Sequence, residues 1–176
     1  MARIVVVDAE RCLGCKSCVL ACAVAHSGVE TLAEAVRLAQ PPQPRLHVEP
    51  VAGAAMPVQC HHCEDAPCMS VCPSGAIHRP SPDGPVLIDP ARCIGCKFCV
   101  FVCPFGVIEL SRSGGAVLKC DQCIERTGAG REPACVEACP TGALRFVELD
   151  EELRLRRRQV ARRLMSERAG GGANEP

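Results

Sequence analysis

Sixteen cysteines fall into four tight groups along this 176-residue chain, and that grouping limits the fold more than any other feature. Group I is Cys12, Cys15, Cys18 and Cys22, and group II is Cys60, Cys63, Cys68 and Cys72. Group III is Cys93, Cys96, Cys99 and Cys103, and group IV is Cys120, Cys123, Cys135 and Cys139. None is left over. In "CIGCKFCVFVCPFG", Cys93 to Gly106, the first three thiols recur every third residue, so they meet a common centre more easily than they meet one another. A disulfide framework is not built that way; a shared ligand is. Cysteine at this density marks a cysteine-built scaffold. Aromatic residues are only 2%, with no Trp or Tyr, so the usual large core fillers are missing. Stability is therefore expected to draw on bound metal, whose binding free energy becomes folding free energy.

Groups I and III have the C-x2-C-x2-C-x3-C spacing of bacterial ferredoxins, and groups II, III and IV end in Cys-Pro. In that arrangement three cysteines on a loop bind one [4Fe-4S] cubane and the fourth ligates its neighbour. Zinc sites instead place two separated C-x2-C pairs around one ion. Groups II and IV alone fit that drawing, but groups I and III do not. Four [4Fe-4S] clusters are the expected cofactors, with a structural zinc protein as the remote alternative. Which groups exchange cysteines stays open at this level. "SGAIHRPSPDGPVLIDPAR" between II and III reads as strand, turn and strand, and so does "FGVIELSRSGGAVLK" between III and IV.

Groups II and III, with the hairpin between them, resemble the four-cluster electron-transfer subunits of dimethyl sulfoxide reductase and formate dehydrogenase. The likeness runs from about Ile4 to Phe146. Group I ends without Pro, and "ACAVAHS", Ala21 to Ser27, is most similar to short cytoplasmic members of that family. Those serve carbon monoxide dehydrogenase, formate hydrogenlyase and tungsten aldehyde oxidoreductases. The resemblance implies an α+β fold of two bacterial-ferredoxin-like units and a C-terminal helix. It implies that one cluster uses Cys12, Cys15, Cys18 and Cys139, and its neighbour Cys120, Cys123, Cys135 and Cys22. The inner pair then uses Cys60, Cys63, Cys68 with Cys103, and Cys93, Cys96, Cys99 with Cys72. The outer unit would comprise residues 1–55 and 112–149, with an insert over 28–55. The inner unit would span 56–111, followed by an arginine-rich helix over 150–169 and a flexible tail over 170–176.

Twenty basic residues balance twenty acidic ones, so nothing global calls for nucleic acid or an anionic membrane. No nucleotide-binding fingerprint and no Ser-His-Asp arrangement is present, and a non-catalytic chain is expected. The function expected is a wire of four clusters between a catalytic oxidoreductase subunit and a second redox subunit or carrier. The resemblance implies a tungsten or molybdenum pterin enzyme acting on aldehyde or formate, or a nickel carbon monoxide dehydrogenase, at one end. A freestanding polyferredoxin is the alternative. The β-like run in "MARIVVVDAERC" is too brief for the apolar region of a signal peptide, so reduced thiols and the cytoplasm are expected.

Around the cysteines, His61 and His62 are candidates to donate hydrogen bonds to a cluster, with plain solvation as the alternative. Lys16, Lys97 and Lys119 would soften cluster charge, or simply sit in solvent. Val19, Leu20, Ala21, Val100, Phe101 and Val102 are expected to exclude water, and Phe98, Phe101 and Phe105 to pack. "ETLAEAVRLAQ" predicts a helix with Leu32, Val36 and Ala39 on one face, ending at Pro41, and "RLHVEPV" an extended segment. Asp150 is a predicted N-cap. Around it, Leu149, Leu153, Val160, Leu164 and Met165 form a narrow apolar stripe flanked by Arg154, Arg156, Arg157, Arg158, Arg162 and Arg163. That helix either packs on its own domain or docks an acidic surface, including that of a second copy of the protein.

Overall fold

The computed structural model describes residues 3–112 and 114–170, with side chains up to Ser166. The predicted flexible tail therefore lies outside the described residues from 171 onward. The fold is α+β, with four two-stranded antiparallel ladders among the described residues. Strand β1 (Arg3–Val7) pairs with β8 (Leu144–Glu148), Arg3 opposite Glu148 and Val7 opposite Leu144, which draws group I onto group IV. Strands β2 (Leu46–Val51) and β3 (Ala54–Gln59) form a hairpin before group II. The two hairpins predicted on either side of group III are present but short. They are β4 (Ile77–His78) with β5 (Leu87–Ile88), and β6 (Glu109–Leu110) with β7 (Val117–Leu118).

Helix length follows the residue after each fourth cysteine. The helix of group I, α1 (Ser17–Ala25), runs nine residues, because Ala23 follows Cys22 and the backbone can continue helical. The next helix in sequence, α2 (Leu32–Ala35), lies in the insert; α3 (Pro67–Ser70) carries group II and α4 (Phe98–Val102) group III. Helix α4 stops at five residues. Cys103 precedes Pro104 and is extended at φ −71°, ψ 114°, as a residue before proline must be. Group IV is divided between α5 (Ile124–Gly128) and α6 (Ala134–Glu137).

Two apolar clusters form. One joins Cys18, Cys22, Leu46, Cys135, Val136, Leu144 and Phe146, from groups I and IV and the ladders beside them. The other joins Ala66, Cys68, Ile77, Val86, Cys99, Ile108 and Val117, centred on groups II and III. Each cluster counts cysteine as core.

Three expectations change. The insert helix is one turn long, opened by a capping box in which Thr31 Oγ1 accepts from the Glu34 N–H and the Glu34 carboxylate accepts from the Thr31 N–H. Ala35 alone of that turn is buried, while Leu32, Val36 and Ala39 face solvent. One turn with a single small anchor buries too little to propagate, and it stops well before Pro41. The second change concerns the apolar flanks. Val19 and Val100 pack partly buried, but Leu20, Phe98, Phe101, Val102 and Phe105 are exposed, Phe101 at 84%. The fourth phenylalanine, Phe146, is the buried one, with the Arg3 guanidinium 4.1 Å over its ring.

The third change is the C-terminal helix. Helix α7 (Leu149–Gly170) continues directly from β8, so Asp150 is inside its first turn with Glu151 and Glu152, where acidic groups favour the helix dipole. It meets the body through β8 and the buried Glu152, and every residue from 153 to 166 is exposed. The stripe is not packed on its own domain. Among the described residues, no helix is long and apolar enough to cross a membrane.

Candidate metal centres

Each cysteine loop turns through left-handed backbone. Groups I and III use Gly14 with Lys16 and Gly95 with Lys97; group II uses His62, and group IV uses Gln122 and Cys123. These turns aim main-chain N–H groups at sulfur. The His62 N–H points at Cys60 Sγ and the Gln122 N–H at Cys120 Sγ, both at 3.4 Å. At Gly95 the backbone also passes so close to the β6–β7 turn that an added Cβ would sit 2.4 Å from the Gly115 carbonyl oxygen.

Three cavities lie at the cysteines. Cys12, Cys15, Cys18 and Cys139 line one. Cys60, Cys63, Cys68 and Cys103 line another. Cys72, Cys93, Cys96 and Cys99 line a third. The remaining four cysteines, Cys22, Cys120, Cys123 and Cys135, are close enough for burial and then the charges of Cys120, Cys22 and Cys123 to push the Cys135 thiol up. Each of the three cavities combines three cysteines of one group with one of another.

The thiols divide by environment. Burial pushes Cys18 up to about 11 and Cys120 up to about 12. At neutral pH such thiols lose their protons only to a metal, whose ligand is the thiolate. Cys72 and Cys139 go the other way. Burial raises Cys72, but the Ile77 N–H and the Ser74 hydroxyl outweigh it; the Leu144 N–H and Thr141 hydroxyl do the same at Cys139. Cys-Pro-Ser and Cys-Pro-Thr thus supply a ready donor two residues on, at 3.7 Å in both cases.

Sequence reasoning missed a network that fastens group I to group IV. Asp121 Oδ1 lies 3.0 Å from His26 Nε2 and accepts from the Cys123 N–H at 2.9 Å, while Oδ2 pairs with Arg45. Arg45 also donates its main-chain N–H to Cys22 Sγ at 3.2 Å, and His26 Nδ1 lies 2.8 Å from the Cys22 carbonyl. Although burial opposes it, the Asp121 contact drives His26 up to about 12, and Asp121 falls well below the carboxylate range. The one available signal was His26 standing four residues after Cys22 on a helix.

The lysines separate too. Lys16 and Lys97 are exposed, but Lys119 is buried, its ammonium donating to the carbonyls of Val86 and Cys120. His61 is exposed and stacks on Phe105, centroids 4.1 Å apart, whereas His62 is buried against the cavity of Cys60. Arg79 holds the group II loop from below, donating to the carbonyls of Cys63 at 2.6 Å and Gly84 at 2.5 Å.

Comparison with known proteins agrees with this chemistry. Residues 51–149 match the 4Fe-4S dicluster domain, and residues 9–25 match the 4Fe-4S binding domain. The protein is 47% identical to an iron-sulfur protein of Rhodospirillum rubrum, covering 84% of its own length and 83% of the relative. It is 44% identical to the thiosulfate reductase electron transfer subunit PhsB of Salmonella typhi, over 82% and 74% of the two proteins. It is 37% identical to a subunit of the anaerobic dimethyl sulfoxide reductase of Escherichia coli, over 82% and 73%.

Proposed function

The chain belongs to the 4Fe-4S dicluster family of iron-sulfur electron-transfer subunits, and from that premise we propose that its four [4Fe-4S] clusters form one continuous wire through two ferredoxin-like units. The observation that carries this reading is that three cavities are each lined by three cysteines of one group and one of another, with Cys135 beside the cysteines that remain. Cys12, Cys15, Cys18 and Cys139 bind cluster 1, and Cys120, Cys123, Cys135 and Cys22 bind cluster 2. Cys60, Cys63, Cys68 and Cys103 bind cluster 3, and Cys93, Cys96, Cys99 and Cys72 bind cluster 4. Residues 1–55 and 112–149 form the outer unit, closed by the β1–β8 ladder, and residues 56–111 form the inner one.

Proximity supports the order. Cys135 feels the charge of Cys18, which links clusters 1 and 2, and Cys120 feels that of Cys60, which links clusters 2 and 3. Clusters 3 and 4 exchange Cys72 and Cys103. Tunnelling falls steeply with distance, so a series of close centres moves an electron across the protein where one centre would not. The ends lie near the surface, at exposed Leu13 and Cys15 for cluster 1 and at Ile94 and Phe101 for cluster 4.

The protein itself performs no substrate chemistry in this reading. It works between a catalytic oxidoreductase subunit, of the tungsten or molybdenum pterin or nickel carbon monoxide dehydrogenase type, and a second redox subunit or carrier. The exposed α7 favours this over a freestanding polyferredoxin. Two experiments test the proposal. Anaerobic purification from the native host should bring down a partner whose non-iron metal names the chemistry. Cys139→Ser should alter the cluster of group I, and a change confined to a group III cluster would overturn the pairing.

A further inference from the structure

Beside the cavity of Cys60, Cys63, Cys68 and Cys103 stands a donor that the protein does not use. His62 is 8% exposed, and its ring lines that cavity. Its Nε2 is buried and has no hydrogen-bond partner among the described residues. A native fold seldom leaves such a group unpaired.

Hydrogen-bond accounting assigns its proton. The Val86 N–H donates to His62 Nδ1 at 3.0 Å, so Nδ1 is an acceptor there. The Val86 carbonyl, 3.2 Å from the same nitrogen, already accepts from the Lys119 ammonium. A hydrogen on Nδ1 would therefore strand the Val86 N–H and compete with Lys119. The proton belongs on Nε2, and one residue of the β4–β5 hairpin dictates it from both of its main-chain groups. His62 has left-handed backbone, φ 50°, and is buried on this inner side, while neighbouring His61 is exposed and stacks on Phe105.

We propose that His62 donates its Nε2–H to a sulfur of the cluster held by Cys60, Cys63, Cys68 and Cys103, and so raises that cluster's reduction potential above what its ligands alone would set. The inference rests on the cysteine pairing proposed above. Reduction adds negative charge to the cluster, and a fixed donor at sulfur stabilises the reduced state more than the oxidised one. His62 is a positioning residue for electrons, setting where they rest along the wire.

The test uses the intact, fully loaded protein with nitrogen-15 histidine. An iron count of four per cluster is taken first, so that a failure of the cluster assignment is seen separately. Pulsed electron paramagnetic resonance of the reduced protein should show a histidine nitrogen coupled to one cluster, and His62→Phe should abolish that coupling. Redox titration of His62→Phe should show one cluster of the four about tenfold harder to reduce, which is 59 mV for one electron. His62→Gln, which can accept from Val86 and still donate, should recover part of that shift. Absence of any histidine coupling in the wild-type protein overturns the proposal, and that measurement needs no variant to fold. Persistence of the coupling in His62→Phe, or equal shifts in the Phe and Gln variants, overturns it as well.

Discussion

Arg45 and Asp121 stand 76 residues apart in sequence and form an ion pair directly beside Cys22 and Cys123. The pair is about four-fifths buried on both sides and shares Asp121 with His26. It clamps the insert and the group I helix to the group IV loop. Asp121→Asn keeps the shape and removes the charge that Arg45 and His26 face. The loss expected is about 1.5–3 kcal/mol, as for a hydrogen bond to a charged group. Arg45→Met should cost a similar amount, and the double variant less than the sum, because the two share one interaction. Thermal bleaching of the visible iron-sulfur absorbance, followed anaerobically, reads all three. Simple additivity would show that the clamp is not a unit.

Gly95 and Gly106 have nearly the same left-handed backbone, φ 69° and 62°, yet they predict different outcomes. Nothing lies within 4 Å of a Cβ added at Gly106, so Gly106→Ala should cost only the conformational penalty, about 1–2 kcal/mol. At Gly95 the Cβ meets the Gly115 carbonyl oxygen at 2.4 Å, and backbone cannot swing aside as a side chain can. Gly95→Ala should cost about 3 kcal/mol or more, or expel the cluster bound by group III. Iron content and melting of the two variants, measured side by side, decide it.

These contrasts show what a sequence like this one discloses. Thiol spacing is dictated by the cubane and is readable without a structure. The stop imposed by Pro104 on α4, and its absence after Cys22, set helix lengths that the order of residues also discloses. The joining of group I to group IV was available only through family resemblance, since spacing allowed two pairings. What stayed hidden was tertiary. No local pattern separates His61, exposed on Phe105, from His62, buried against Val86 24 residues further on. Nor does it mark Lys119 as buried while Lys16 and Lys97, also next to cysteines, remain in water. The stripe on α7 has the period of a packed helix, and only the structure shows it bare.

Glu152 anchors that helix. The Arg156 guanidinium, 2.9 Å away, holds its carboxyl below the ordinary 4.5; burial opposes this, and Arg145 at 3.3 Å assists. A depressed folded-state value means that the stabilisation is fully present above pH 4.5 and is lost as pH falls through the lower folded value. Both arginines are substantially exposed, so the anchor is worth about 0.5–1 kcal/mol and weakens with salt. Glu152→Gln should speed amide exchange in the first two turns of α7 at neutral pH. The difference from wild type should vanish in acid, once intrinsic exchange is corrected for. A difference independent of pH would show that shape, not charge, fixes the helix.

Beyond that anchor, Leu153, Val160 and Leu164 are 42%, 57% and 56% exposed, so the protein's own fold gains little from them. Replacing all three with Gln should leave iron content and melting nearly unchanged, within about 0.5 kcal/mol for each surface site. If α7 docks the catalytic partner, the same variant should lose most of the partner in anaerobic co-purification. Reversing the charge of Arg157 and Arg158 should do so more strongly at low ionic strength than at high, because screening already weakens the native contact in salt. Retention of the partner by both variants would move the docking surface off α7 and onto the exposed residues at the wire's ends, Leu13 at one and Ile94 and Phe101 at the other.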